Sequence, residues 1–161
     1  RRPSEQEINL YKFSELSEEA QEKAMQTHWD INVDYEWYQY NYDDAEEIGL
    51  KITGFDVGRG NDCTLEFIEG AKETAEKIVE NWGNACEEYG SAVGFLAAYD
   101  NVNNELEEDD LEYLEKDFLK MLAESYLVDL RNEYNFRLEE EQIIETIECN
   151  DYDFTEDGKI Y

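Results

Sequence analysis

A chain of 161 residues, 41% apolar and 14% aromatic, is long enough to bury a core and too apolar for a disordered acidic tail. Its 43 acidic and 13 basic residues give a formal charge of −30, which disfavours direct binding to DNA or RNA and favours a basic partner. There is no apolar run of about 18 residues and no signal-like apolar segment, so neither a membrane span nor secretion is expected.

Residues 1–6 (RRPSEQ) read as a disordered end, and residues 7–161 as a single acidic α+β domain. EINLYKF at 7–13 alternates enough for an N-terminal strand. Ser17 followed by Glu18 and Glu19 is an N-cap signal, opening a helix that ends near Asp30 and buries Leu16, Ala20, Ala24, Met25 and Trp29. DYEWYQYNYDDAEE at 34–47 holds six carboxylates, five aromatic rings and no base, and reads as one helix stopped near Ile48-Gly49. LKITGFDV, the turn GRGND and CTLEFI form a central hairpin.

After Gly70, the residues Ala71, Ala75, Ile78 and Trp82 recur at helical spacing, and a break at Gly83-Asn84 leads to a weaker helix with Phe95, Leu96 and Tyr99. The longest helix is expected over about 107–134, with Leu111, Leu114, Phe118, Met121, Leu122 and Leu130 on its apolar side. A shorter helix over 138–148 precedes Asp157-Gly158, which between β-prone flanks reads as a C-terminal hairpin. The expected architecture is α+β: a small antiparallel sheet made of the N-terminal strand and two hairpins, covered by five to six helices.

The charge is clustered. Residues 34–47 carry −6, residues 105–117 carry −7 and residues 139–157 carry −9, which leaves −8 for the other 115 residues. An evenly acidic surface of the kind that suits high salt would not concentrate charge in this way. Self-repulsion on this scale opposes a compact state, so the pattern implies a role other than stability. Carboxylates at i, i+3 and i+4 on a helix approach the charge density of a nucleic-acid backbone, about one charge per 1.7 Å of duplex. The candidate partner-binding residues are Asp34, Glu36, Asp43, Asp44, Glu46 and Glu47, then Glu107, Glu108, Asp109, Asp110 and Glu112, with Tyr38 and Tyr40 as aromatic anchors. The expected partner is a basic DNA-binding groove.

No catalytic motif emerges, so an enzyme is not expected and no cofactor is called for. His28, the one histidine, has no partner identifiable by spacing and reads as a surface or packing residue. Cys63, Cys86 and Cys149 lack C-x-x-C spacing, which argues for the reducing cytoplasm over a disulfide framework or zinc site. GRG at 58–60 lacks the lysine and Ser/Thr of a phosphate loop, and although Asp56 and Glu66 are available to a metal-dependent nuclease, Glu66 is followed by Phe67 and Ile68 with no lysine in reach along its strand. Asp153, Thr155 and Asp157 copy the first, third and fifth positions of a calcium loop, yet the sequence given ends at Tyr161, before the twelfth-position Glu.

Several stretches carry a resemblance: YKFSELSEEAQEKA at 11–24, INVDYEW at 31–37, DDAEEIGLKITGFDVGRG at 43–60, ETAEKIVEN at 73–81 and FTEDGKIY at 154–161. In these the chain resembles a family of small, uncharacterised acidic proteins of phages, prophages and gut bacteria, sometimes labelled antitoxins. That resemblance implies a mobile-element origin. In class, it is similar to phage inhibitors that imitate DNA to block host restriction or CRISPR enzymes. The functional expectation is therefore a DNA-mimic inhibitor. The alternatives are an antitoxin-like or regulatory protein that neutralises a basic partner, and a divalent-cation binder.

Overall fold

The structure, a computed structural model, describes residues 8–105 and 108–161. It is α+β: among the described residues, six α-helices and a two-stranded antiparallel sheet. The helices are α1 (Glu18–Thr27), α2 (Gln39–Glu47), α3 (Ala71–Asn81), α4 (Glu87–Glu105), α5 (Glu108–Arg137) and α6 (Glu140–Cys149); the strands are β1 (Leu50–Asp56) and β2 (Asp62–Phe67). The chain divides into two compact units. One combines Arg1–Trp37 with Tyr134–Tyr161, and the other is Tyr38–Glu133.

In the first unit, the Ser17 hydroxyl accepts the Ala20 N–H at 3.2 Å and starts α1. Ala20 and Ala24 then face Ile143 and Ile147 of α6, with Phe13, Leu16 and Phe154 completing the core. Phe154 is fully buried and meets Phe13 edge-on, with ring centroids 6.1 Å apart. Trp29, expected on the buried side of α1, is 51% exposed, because the helix ends at Thr27, two residues before it.

The N-terminal strand and the C-terminal hairpin do not form as sheet strands; each is reduced to single bridges, Tyr11 with Phe154 and Phe154 with Ile160. Tyr11 and Phe154 exchange both backbone bonds, at 2.9 and 2.8 Å. The chain then turns at once into a 3-10 turn, Phe13–Glu15, whose entry is fixed by the Lys12 N–H donating to the Glu15 carboxylate at 2.8 Å. At the other end, the Asp157-Gly158 turn closes within five residues, with the Thr155 N–H donating to the Lys159 carbonyl at 2.8 Å. Gly158 has φ +86°, and a Cβ there would collide with the Ala20 carbonyl, so only glycine fits.

In the second unit, β1 and β2 pair Leu50 with Phe67 and Ile52 with Leu65, and turn Leu50, Ile52 and Leu65 inward. Register shifts between Ile52 and Gly54, and Asp56 closes the hairpin by accepting the Gly58 and Gly60 N–H groups at 2.8 and 3.0 Å. α2 lays Ala45 and Ile48 against this core and stops at Gly49, which holds φ +78° and ends the helix as a left-handed cap. Ala71, Thr74, Ala75 and Ile78 of α3 are buried, and Phe95 of α4 stacks on Phe118 of α5 at 4.7 Å between ring centroids. Among the described residues, no helix is long and apolar enough to cross a membrane.

Candidate acidic recognition surface

The acidic stretch expected as one helix is helical only from Gln39. Before it, Asn32 is buried and tied into the first unit. Its side-chain amide donates to the Arg137 carbonyl at 3.0 Å and accepts from the Thr146 hydroxyl at 2.6 Å. Arg137 returns a bond to the Asn32 carbonyl at 3.1 Å and one to the Tyr35 hydroxyl at 2.8 Å, and Trp37 packs on Tyr134 at 5.7 Å. These anchors hold 32–37 in turns. Asp34 and Glu36 are exposed there, in a different unit from the α2 carboxylates.

Along α2, burying Ala45 and Ile48 sets the phase. Asp43, Glu46 and Glu47 therefore face water, and Tyr40 is 77% exposed. Gln39 donates its amide to Asp43 at 2.8 Å. Among the described residues, no lysine or arginine forms an ion pair with Asp43, Asp44, Glu46 or Glu47. Tyr38, expected as an anchor for a partner, instead clusters internally, with its ring 5.1 Å from both Tyr42 and Phe55.

These four carboxylates sit in the C-terminal half of α2, and its last turn has no basic residue. The end of a helix carries a partial negative charge of about half an electron, so carboxylates there are repelled by the backbone as well as by one another.

In the second expected cluster, Asp109 and Asp110 are exposed on the first turn of α5, where the helix dipole favours them, and Glu112 pairs with Lys116 at 3.0 Å. Glu107 lies outside the described residues, as does the side chain of Glu108.

Asp44 is the exception within α2. It is half-buried and accepts the Tyr126 hydroxyl at 3.2 Å. With Tyr40, Asn41, Asp129 and Asn132 it lines a cavity of about 350 Å³ that adjoins one reaching Trp82 and Glu88. Burial pushes the Asp44 carboxyl above the ordinary carboxylate value, against the Tyr126 hydrogen bond, and Glu47 and Glu88 add to the rise. Burial also raises Asp129, helped by Glu88 and Asp44, and raises the Tyr126 hydroxyl strongly. Tyr126, Asp129 and Glu88 were not singled out from the sequence: Tyr126 lies 82 residues from Asp44, and no spacing links them. A concave site with aromatic walls and the carboxyls of Asp44 and Asp129 has the shape and charge to take up a cationic group.

Asp153 is occupied by the Lys12 ammonium at 2.8 Å, with Asp151 at 3.3 Å, and Asp157 accepts the Thr155 hydroxyl. Among the described residues, no group of three or more His, Cys, Asp or Glu is placed to hold a metal ion. His28 caps the end of α1, its N–H donating to the Ala24 carbonyl at 3.0 Å.

No protein-family model, no curated protein and no solved structure matches this chain.

Proposed function

We propose that the protein is a non-enzymatic inhibitor of mobile-element origin. It acts in the host cytoplasm by occupying the basic DNA-binding groove of a defence nuclease, a Cas effector or restriction enzyme, as a mimic of DNA. One observation carries the reading: Asp43, Asp44, Glu46 and Glu47 crowd the negative end of α2 without a cationic partner among the described residues. A charge pattern that works against its own helix is accounted for when a partner's lysines and arginines complete it. Tyr40, exposed beside them, supplies the aromatic contact that carboxylates lack.

The test is inhibition of DNA cleavage by a panel of Cas effectors and restriction enzymes, with salt varied and DNA added as competitor. Inhibition that DNA competes away and that weakens steeply with salt is expected. Neutralising Asp43, Glu46 and Glu47 to Asn or Gln should relieve it while the domain stays folded. Inhibition unchanged after the α2 cluster and the Asp109–Glu112 cluster have each been neutralised would rule the reading out. An antitoxin-like or regulatory role toward a basic partner protein is the second reading, favoured by a separate feature between α4 and α5.

A further inference from the structure

We propose that the groove between α4 and α5 is a docking site for a basic amphipathic helix of a partner protein. The groove comprises two adjoining cavities of about 490 and 550 Å³ that share Glu87, Ser91 and Met121. Its apolar walls are Phe95 and Ala98 on α4 with Leu114 and Phe118 on α5, and Met121 on α5 is 45% exposed. From Leu114 to Asp129, α5 advances about 22 Å at about 1.5 Å per residue, the length of a four-turn helix. A third helix is the natural occupant of a trough between two packed ones.

Two glycines add to this. Gly90 and Gly94 line the groove one turn apart, and among the described residues a Cβ on either would meet nothing within 4 Å. Each weakens α4 relative to alanine, and nothing inside the fold demands either one. Their bare backbone lets a neighbouring helix come closer than side chains would allow.

Charge identifies the occupant. Glu87, Glu88, Asp117, Glu124 and Asp129 line the groove, and among the described residues no lysine or arginine does. A second copy of this chain would set the same carboxylates face to face, so self-association through this surface is repelled. A helix with a small or apolar stripe, flanked by lysines or arginines, satisfies both the floor and the rim.

The test uses a synthetic peptide of about 18 residues, enough for about five turns, with leucine and alanine on one helical face and lysine on the other. A scrambled peptide of equal composition is the control, and binding is read by fluorescence anisotropy. The patterned peptide should bind at least about tenfold more tightly than the scrambled one. Gly94→Leu, whose side chain fills the groove, should weaken that binding about tenfold or more, and so should Met121→Lys, which places a like charge against the peptide. Equal binding of the two peptides, or binding unchanged in both variants, would overturn the proposal. So would a dimer in sedimentation that Gly94→Leu dissociates, since the face would then belong to a second copy. The assay involves no nuclease, so its outcome stands apart from the inhibition test.

Discussion

Neutralising the end of α2 should stabilise the protein while relieving inhibition. In the triple variant Asp43→Asn/Glu46→Gln/Glu47→Gln, Asp44 is left in place because it accepts the Tyr126 hydroxyl. Glu46 and Glu47 stand in the last turn of α2, where a carboxylate facing the dipole costs about 0.3–1 kcal/mol. Asp43 and Glu47 are four residues apart on the exposed face, and a like pair at that spacing costs about 0.2–0.5 kcal/mol more. Together these give about 1–2 kcal/mol at low ionic strength. The unit Tyr38–Glu133 is of the size in which 1 kcal/mol moves the melting temperature by about 4–8 °C, so a rise of about 4–16 °C is expected. The assay is thermal unfolding followed by circular dichroism in low salt and in 1 M NaCl, where the screening length is about 3 Å and the gain should largely vanish. Melting that is unchanged or lowered in low salt would refute the reasoning, and so would a gain that survives high salt. In either case the charges would not be held at the expense of their own helix.

Two further outcomes follow from groups with shifted acidities. Burial raises the Asp44 carboxyl in the folded state, so its contribution to stability is full below the ordinary aspartate value of about 4 and is lost as pH rises through the higher folded value. Asp44→Asn, which keeps an acceptor for Tyr126, should therefore raise the urea midpoint at pH 7, with the gain fading toward about pH 3; an equal gain at both would separate it from charge. Burial also pushes the Cys63 thiol up to about 11, whereas Cys149 is exposed. At about pH 8, a disulfide reagent should label Cys149 in the folded protein and reach Cys63 only after unfolding; prompt labelling of Cys63 would contradict its placement against the core.

The sequence disclosed most where structure depends on near neighbours. The stop at Gly49, the Ser17 cap, the inward face of α3 and the central hairpin all follow from residues within a few positions of one another, and the structure places each there; on α5, Phe118, Leu122 and Leu130 are buried as expected, whereas Met121 is 45% exposed. The failures share one cause: a distant partner overrides the local pattern. Asp34–Trp37 continue the periodicity of α2, but Asn32 is held by Arg137 and Thr146, more than a hundred residues along the chain, and the helix cannot begin until Gln39. The edges of the first unit alternate as strands should. One bridge at Phe154 joins them before the Lys12–Glu15 turn and the Asp157-Gly158 turn lead the chain away. At the candidate site, the exposure of Asp43, Glu46 and Glu47 followed from the helical phase. The burial of Asp44 did not, because Tyr126 and Asp129, which surround it, come from another helix.

Charge density limits what α2 can do alone. Asp43 to Glu47 covers about 6 Å of helix axis at about 1.5 Å per residue, so its four carboxylates match the duplex value of about one charge per 1.7 Å, but only over that length. A groove shaped for duplex DNA follows many more phosphates than this, so the match at α2 is strong per ångström and short in extent. Two consequences distinguish a mimic built in this way from a rod of charge. It needs further negative surface, which the exposed Asp109 and Asp110 of α5 offer. It also needs contacts whose strength does not fade with salt, since ion pairs at an exposed patch are screened as ionic strength rises. Tyr40, standing 77% exposed one turn before Asp43 and Asp44, is the nearest such contact. Loss of binding in Tyr40→Ala should therefore grow in importance as salt is raised, while the effect of neutralising Glu46 and Glu47 shrinks. The opposite ordering would mean that charge alone does the recognising.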